Sequence, residues 1–181
     1  MRTAPALLTV LAVCLALTGC VPDDDPIVLD PEPSVSPIFE SDEEALAAAE
    51  EAYGAYLAVV DQIRMDGGSN ANRLEEVATD PVLSSELAGF AELVTRGHRT
   101  VGLTSYDTVS LQQFDRFASV AVVLIYVCED FTAVDVVDAD GVSVVGADRQ
   151  LRWPLVVGFD SNAGTLKVST VDDWTGEDFC V

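Results

Sequence analysis

The sequence predicts an α+β domain, with helices first and an antiparallel sheet after them. Three observations carry this reading. Apolar residues recur at helical spacing from about residue 41 to residue 97, and they alternate with period two from about residue 101 to residue 171. Ahead of both, residues 21–37 hold five of the eight prolines together with Asp23, Asp24, Asp25, Asp30 and Glu32, which keeps that stretch extended and outside the fold.

Taken in order, Ser41-Asp42-Glu43-Glu44 is a capping box, in which the serine hydroxyl takes an amide and the glutamate reaches back. The acids also suit the positive end of the helix dipole. Leu46, Ala49, Tyr53, Tyr56, Leu57, Val60 and Ile63 then cover one face of a long helix that stops at Asp66-Gly67-Gly68. A short second helix is expected over residues 73–78. A third opens with Asp80 as N-cap and Pro81 in the first turn, carries the stripe Leu83, Leu87, Phe90 and Val94, and ends at Gly97.

The period then changes. Val101, Leu103, Val109 and Leu111 predict one long strand bending near Ser105. Residues 118–127 are apolar except for Ser119 and read as a central strand. Residues 132–137 and 142–145 flank Asp138-Ala139-Asp140-Gly141, which predicts a hairpin. Leu151, Trp153, Leu155, Val157 and Phe159 alternate cleanly, and Asp160-Ser161-Asn162-Ala163-Gly164 turns that strand into a last one over residues 165–171.

The first 20 residues settle the compartment. Met1 and Arg2 precede an apolar run over residues 4–17, then small residues and an abrupt change to acid and proline. That is a secretory signal, shorter than the roughly 20 residues a membrane-spanning helix needs. Leu17-Thr18-Gly19-Cys20 resembles the lipobox of bacterial lipoproteins. The resemblance implies cleavage before Cys20 and a diacylglycerol on its sulfur, holding the chain on the extracytoplasmic face of the cell membrane. The organisation expected is residues 1–19 as signal, 20–38 as lipidated tether and 39–181 as one domain.

Charge excludes one class of partner. Thirty-one acids against nine Lys and Arg leave a net charge of −22, which does not fit nucleic acid, whose phosphates need cations. With 49% hydrophobic residues the chain still has enough apolar surface to fold. Of four cysteines, Cys14 lies in the signal and Cys20 in the lipobox, so Cys128 and Cys180 remain. In an oxidising space they are expected to form a disulfide, since neither has the neighbouring His or second thiol that a metal or redox site would need.

The order of elements over residues 39–180 resembles the nuclear transport factor two-like (cystatin-like) α+β cone. That superfamily includes isomerases, dehydratases and secretion-apparatus components. The chain departs from it in lacking a strand pair between the second and third helices, and no functional residue carries over.

Few residues suggest chemistry. His98 is the only histidine, and beside Arg96 and Arg99 at a helix end it reads as a capping residue before it reads as a base. Asp138-Ala139-Asp140-Gly141 fails as a calcium loop, because the first and last ligand positions would be Val136 and Ala147. Tyr126, Glu129 and Asp130 sit where the central strand ends. If that end opens into a cone cavity, Tyr53, Tyr56, Tyr106 and Trp153 are its candidate walls, and the carboxylates at its mouth would have raised pKa values. The simpler alternative has the aromatics filling the core and the acids in a turn.

Neither a catalytic residue nor a metal ligand nor a cofactor follows from any motif. The expected partners are the membrane, through Cys20, and a protein or small molecule of unknown identity. The function expected is a tethered, non-catalytic binding or interaction module. The alternatives are an accessory subunit of an envelope or transfer complex, and an isomerase- or dehydratase-like enzyme using the cavity.

Overall fold

The computed structural model describes residues 38–115, 122–162 and 165–180. Helix α1 (Asp42–Met65) begins as the capping box requires, with the Ser41 hydroxyl accepting the Glu44 amide at 3.1 Å. The Glu44 carboxylate reaches one residue further back than expected, taking the Glu40 amide at 2.8 Å. Ala45, Ala49, Tyr53, Tyr56, Leu57, Val60 and Ile63 are buried along one face, and Leu46 packs at its margin.

The short second helix is a 3₁₀ turn, Ala71–Glu76, starting two residues earlier than the sequence predicts. Helix α2 (Val82–Arg96) follows, with Pro81 rather than Asp80 at the N-cap position. Asp80 still serves the helix start, since its carboxylate accepts the Ser84 amide at 3.3 Å. At the other end Gly97 turns left-handed, the Gly97 amide donates to Val94 O and the His98 amide to Leu93 O. This is the Schellman closure. Only part of the predicted stripe is covered: Phe90 is buried, but Val94 is 59% exposed.

Among the described residues the strands are β1 (Arg99–Val101), β2 (Ser105–Asp115), β3 (Val122–Asp130), β4 (Asp135–Val137), β5 (Arg152–Asn162) and β6 (Thr165–Asp173). They form an antiparallel sheet in the order β2-β3-β5-β6 and a separate ribbon of β1 and β4, and neither is closed. Two expectations are corrected here. The long strand over residues 101–111 is two strands in two sheets, broken at Gly102, which sits at φ +88° where a β-carbon would overlap the Ala133 carbonyl. And the predicted hairpin forms only in part: β4 has β1 along one edge, and on the other the Val144 amide donates to Val136 O without a second strand developing. The turn itself forms, with the Asp138 carboxylate accepting the amides of Asp140 and Val142 at 2.9 Å each, but only one bridge, Val137 to Ser143, follows it.

Alternation on the strands decides the core. Val123, Ile125 and Val127 of β3, Leu155, Val157 and Phe159 of β5, and Leu166 and Val168 of β6 face the buried side of α1. The amides of Thr79 and Val168 tie the segment before α2 to the β6 edge, donating to Val168 O and Val77 O. The opposite face of the sheet carries the C-terminal segment. Cys128 and Cys180 are joined in a disulfide with α-carbons 5.4 Å apart, inside the normal range. The described part of the chain belongs to one compact unit, Val35–Val181. The signal, Cys20 and the tether up to residue 37 lie outside the described residues, as do positions 118–121 of the predicted central strand. Among the described residues no helix is long and apolar enough to cross a membrane.

Candidate functional site

Helical spacing on α1 puts Tyr53, Tyr56, Val60 and Arg64 on neighbouring turns of one face, and β3 brings Glu129 up against them. The Tyr53 hydroxyl donates a short hydrogen bond to Glu129 Oε1, deep in the core. Its ring lies 6.0 Å from that of Tyr56, nearly parallel, and 5.0 Å from that of Tyr106, edge to face. Tyr106 is anchored in turn by donating to Glu50 O at 3.2 Å. One turn on, the Tyr56 hydroxyl donates to Glu86 at 3.3 Å, and the Arg64 guanidinium bridges both Glu86 oxygens at 3.1 and 3.3 Å.

The electrostatics follow from burial. Removal from water pushes the Glu129 carboxyl above its ordinary value, the Tyr53 hydrogen bond and the Arg64 charge oppose the rise, and the Glu86 and Asp61 charges add to it. Burial likewise raises Tyr53 and Tyr56, each with a carboxylate beside it. Both phenols are therefore donors at neutral pH. Asp61, 5% exposed, is buried for a different purpose: it accepts the Thr104 amide at 2.8 Å and the Thr104 hydroxyl at 2.7 Å, fixing the turn between β1 and β2.

A test of this core pair follows from the direction of the shift. Below the ordinary glutamate value of 4.5, Glu129 is neutral whether folded or unfolded. As pH climbs toward its raised folded value the unfolded chain gains charge that the folded core resists, so this group takes stability away as pH rises. The exposed carboxylates Asp66 and Asp107 and the half-buried Asp130 have lowered values and act in the opposite sense. Glu129→Gln isolates the buried group: its stability advantage over the parent should grow from about pH 4 upward, read as urea midpoints. Tyr53→Phe should cost about 1–3 kcal/mol by leaving a buried acceptor unpaired.

Of the seven residues the sequence suggests for a pocket, Tyr53, Tyr56, Tyr106 and Glu129 come together. Tyr126 and Asp130 do not. They alternate with Glu129 on β3 and so emerge on the other face of the sheet. There Tyr126 packs edge-on against Trp174 at 5.0 Å and Phe179 at 5.8 Å, under the crosslinked tail. Asp130 shares Arg152 with Asp107, at 2.7 Å and 2.9 Å, which ties β2, β3 and β5 together. Trp153 is opposite Glu129 in the register but 37% exposed. His98 borders a shallow groove with Met65 and Asp138. Among the described residues no group of three His, Cys, Asp or Glu side chains is placed to hold a metal ion.

Sequence reasoning missed the cleft that lies beside this cluster. It measures about 260 Å³ and opens between α2 and the β1–β4 ribbon. Phe90, Leu93, Phe131 and Val134 give it apolar walls; Arg64, Glu86, Thr100 and Arg149 supply the polar groups. Two of the nine basic residues in a strongly acidic chain thus converge on one apolar cleft. Their separation by 85 positions hides this in the sequence.

No family model matches the chain, and no curated protein matches it. Among solved structures, the intermembrane-space region of the chloroplast protein ARC6 is similar at a TM-score of 0.53 and 13% identity, over 71% of this chain and 97% of that one. That likeness is one of fold. Aln2 from a Streptomyces species aligns at 12% identity over 70% of this chain and 88% of its own, with a TM-score of 0.40.

Proposed function

We propose that this protein is a lipoprotein held on the extracytoplasmic face of a cell membrane through Cys20, with residues 39–181 serving as a non-catalytic binding domain of the cone-like, nuclear transport factor two-like type. The observation that carries the compartment is the Cys128–Cys180 crosslink, a bond that persists in oxidising spaces, in a chain that begins with an export signal and Leu17-Thr18-Gly19-Cys20. Two acyl chains anchor firmly because each buried CH₂ contributes about 0.8 kcal/mol.

Binding is favoured over catalysis by how the carboxylates are used. Glu129 is closed off by Tyr53, Asp61 by Thr104, and Glu86 by Arg64 and Tyr56, so each buried or half-buried acid is already committed to an internal partner. A second reading, an accessory subunit of an envelope complex, draws on the exposed Val142, Val144 and Leu151 beside the β1–β4 ribbon. It also draws on the ARC6 neighbour, whose matched part is an intermembrane-space region.

Cys20→Ala tests the anchor. The parent should partition into the detergent phase on Triton X-114 separation, and the variant should be released to the medium or retained as uncut precursor. A variant that partitions like the parent would overturn the lipid anchor.

A further inference from the structure

The cleft between α2 and the β1–β4 ribbon holds polar groups with donors to spare. Arg64 and Glu86 offset each other's charge in an ion pair made through one Arg64 nitrogen. Arg149 donates from one nitrogen to Val134 O and makes no ion pair among the described residues, although a guanidinium carries five N–H donors. Thr100 is 6% exposed, and its hydroxyl has no hydrogen-bond partner among the described residues. A buried hydroxyl left so is uncommon and calls for an explanation. A third observation points the same way. Gly89 lines the cleft from the middle of α2, where glycine weakens a helix, and a β-carbon there would meet nothing within 4 Å. The missing side chain leaves the mouth open.

We propose that this cleft binds a small amphiphilic monocarboxylate. Its acceptor-only head group takes Arg149 and Thr100 as donors, and its apolar body lies against Phe90, Leu93 and Val134. The size limits it to a small molecule, since 260 Å³ falls just below the roughly 300 Å³ at which pockets for drug-sized ligands begin. Charge suits it as well: a guanidinium free of carboxylates, facing an apolar cavity, selects an anion over a cation. Asp135 borders the adjoining groove on the far side of Arg149, but its Oδ1 is taken by the Val136 amide and the Ser143 hydroxyl, at 2.8 Å each. The inference rests on the binding-domain reading and is independent of the lipid anchor.

The test is an NMR titration of the whole exported chain carrying Cys20→Ser, so that neither lipid nor detergent competes for the cleft. Octanoate is the probe, with octylamine and octanol as charge-reversed and neutral controls. Octanoate should give saturable shifts at Thr100, Leu93 and Val134, and should bind at least about tenfold more tightly than octylamine. Arg149→Gln should weaken octanoate by roughly tenfold while leaving octanol within about twofold. Thr100→Val, an isostere without the hydroxyl, should weaken octanoate without lowering the melting temperature. Gly89→Trp should block all three probes. Equal affinity for octanoate and octylamine, or no saturable shift with the unmodified cleft, overturns the proposal even where Arg149→Gln fails to fold. The detergent-partition experiment reads Cys20 alone, so loss of the anchor and loss of the ligand are separate results.

Discussion

Gly102→Ala is expected to destabilise the domain by about 3 kcal/mol or more, seen as a large fall in urea midpoint. Two effects add. At φ +88° an L side chain is strained, and the new β-carbon would overlap the Ala133 carbonyl oxygen, which is backbone and has little room to move. Gly141→Ala separates the two, since Gly141 also has positive φ (+81°) but a β-carbon there meets nothing within 4 Å. It should cost only about 1 kcal/mol. A similar loss at both positions would mean that the close approach of residue 102 to residue 133 is not what breaks the strand. The consequence reaches the cleft, because Gly102 lets β1 leave the main sheet and carry Thr100 to β4.

Removing the crosslink by Cys180→Ser is expected to cost roughly 4 kcal/mol in the chain-entropy view, and often less in practice. The bridged cysteines are 52 positions apart, so the unfolded chain regains a large loop. The tail should loosen as well, since Trp174 and Phe179 are held over Tyr126 by the same segment. Chemical denaturation of parent and variant, each with and without reductant, checks this. The gap should close in reductant; a gap that stays the same would assign the effect to packing of the thiol instead. Trp174 fluorescence should shift toward that of solvated indole only in the variant or the reduced parent.

The elements were legible because their periodicities are local. The capping box at Ser41, the stripe from Ala49 to Ile63 and the alternation from Leu155 to Phe159 each declare a helix or a strand within a dozen residues. The errors came where distant backbone competes with a local signal. Val101 to Leu111 alternates like one strand, yet Ala133 passes so close to Gly102 that the chain must turn there. Asp138-Ala139-Asp140-Gly141 makes its turn as the sequence says, but residues 142–145 bond one edge of β4 through a single bridge while β1 pairs along the other. The suggested pocket residues divide between two faces for a simpler reason. Residues 126, 129 and 130 were grouped by nearness along a strand that sends alternate side chains to opposite faces, which sends Tyr126 and Asp130 away from Glu129.

By itself, then, the sequence determined what rests on composition and short range: the α+β order, the acidity and the cysteine pairing. Tertiary structure alone decided which side chains share an interior. Tyr53 meets Glu129 across 76 positions, and Arg64 comes to the same cleft as Arg149. Such meetings depend on how α1 lies on the sheet and where β1 departs from it. Those are set by packing and by close backbone approaches such as that at Gly102, neither of which leaves a periodic trace in the chain.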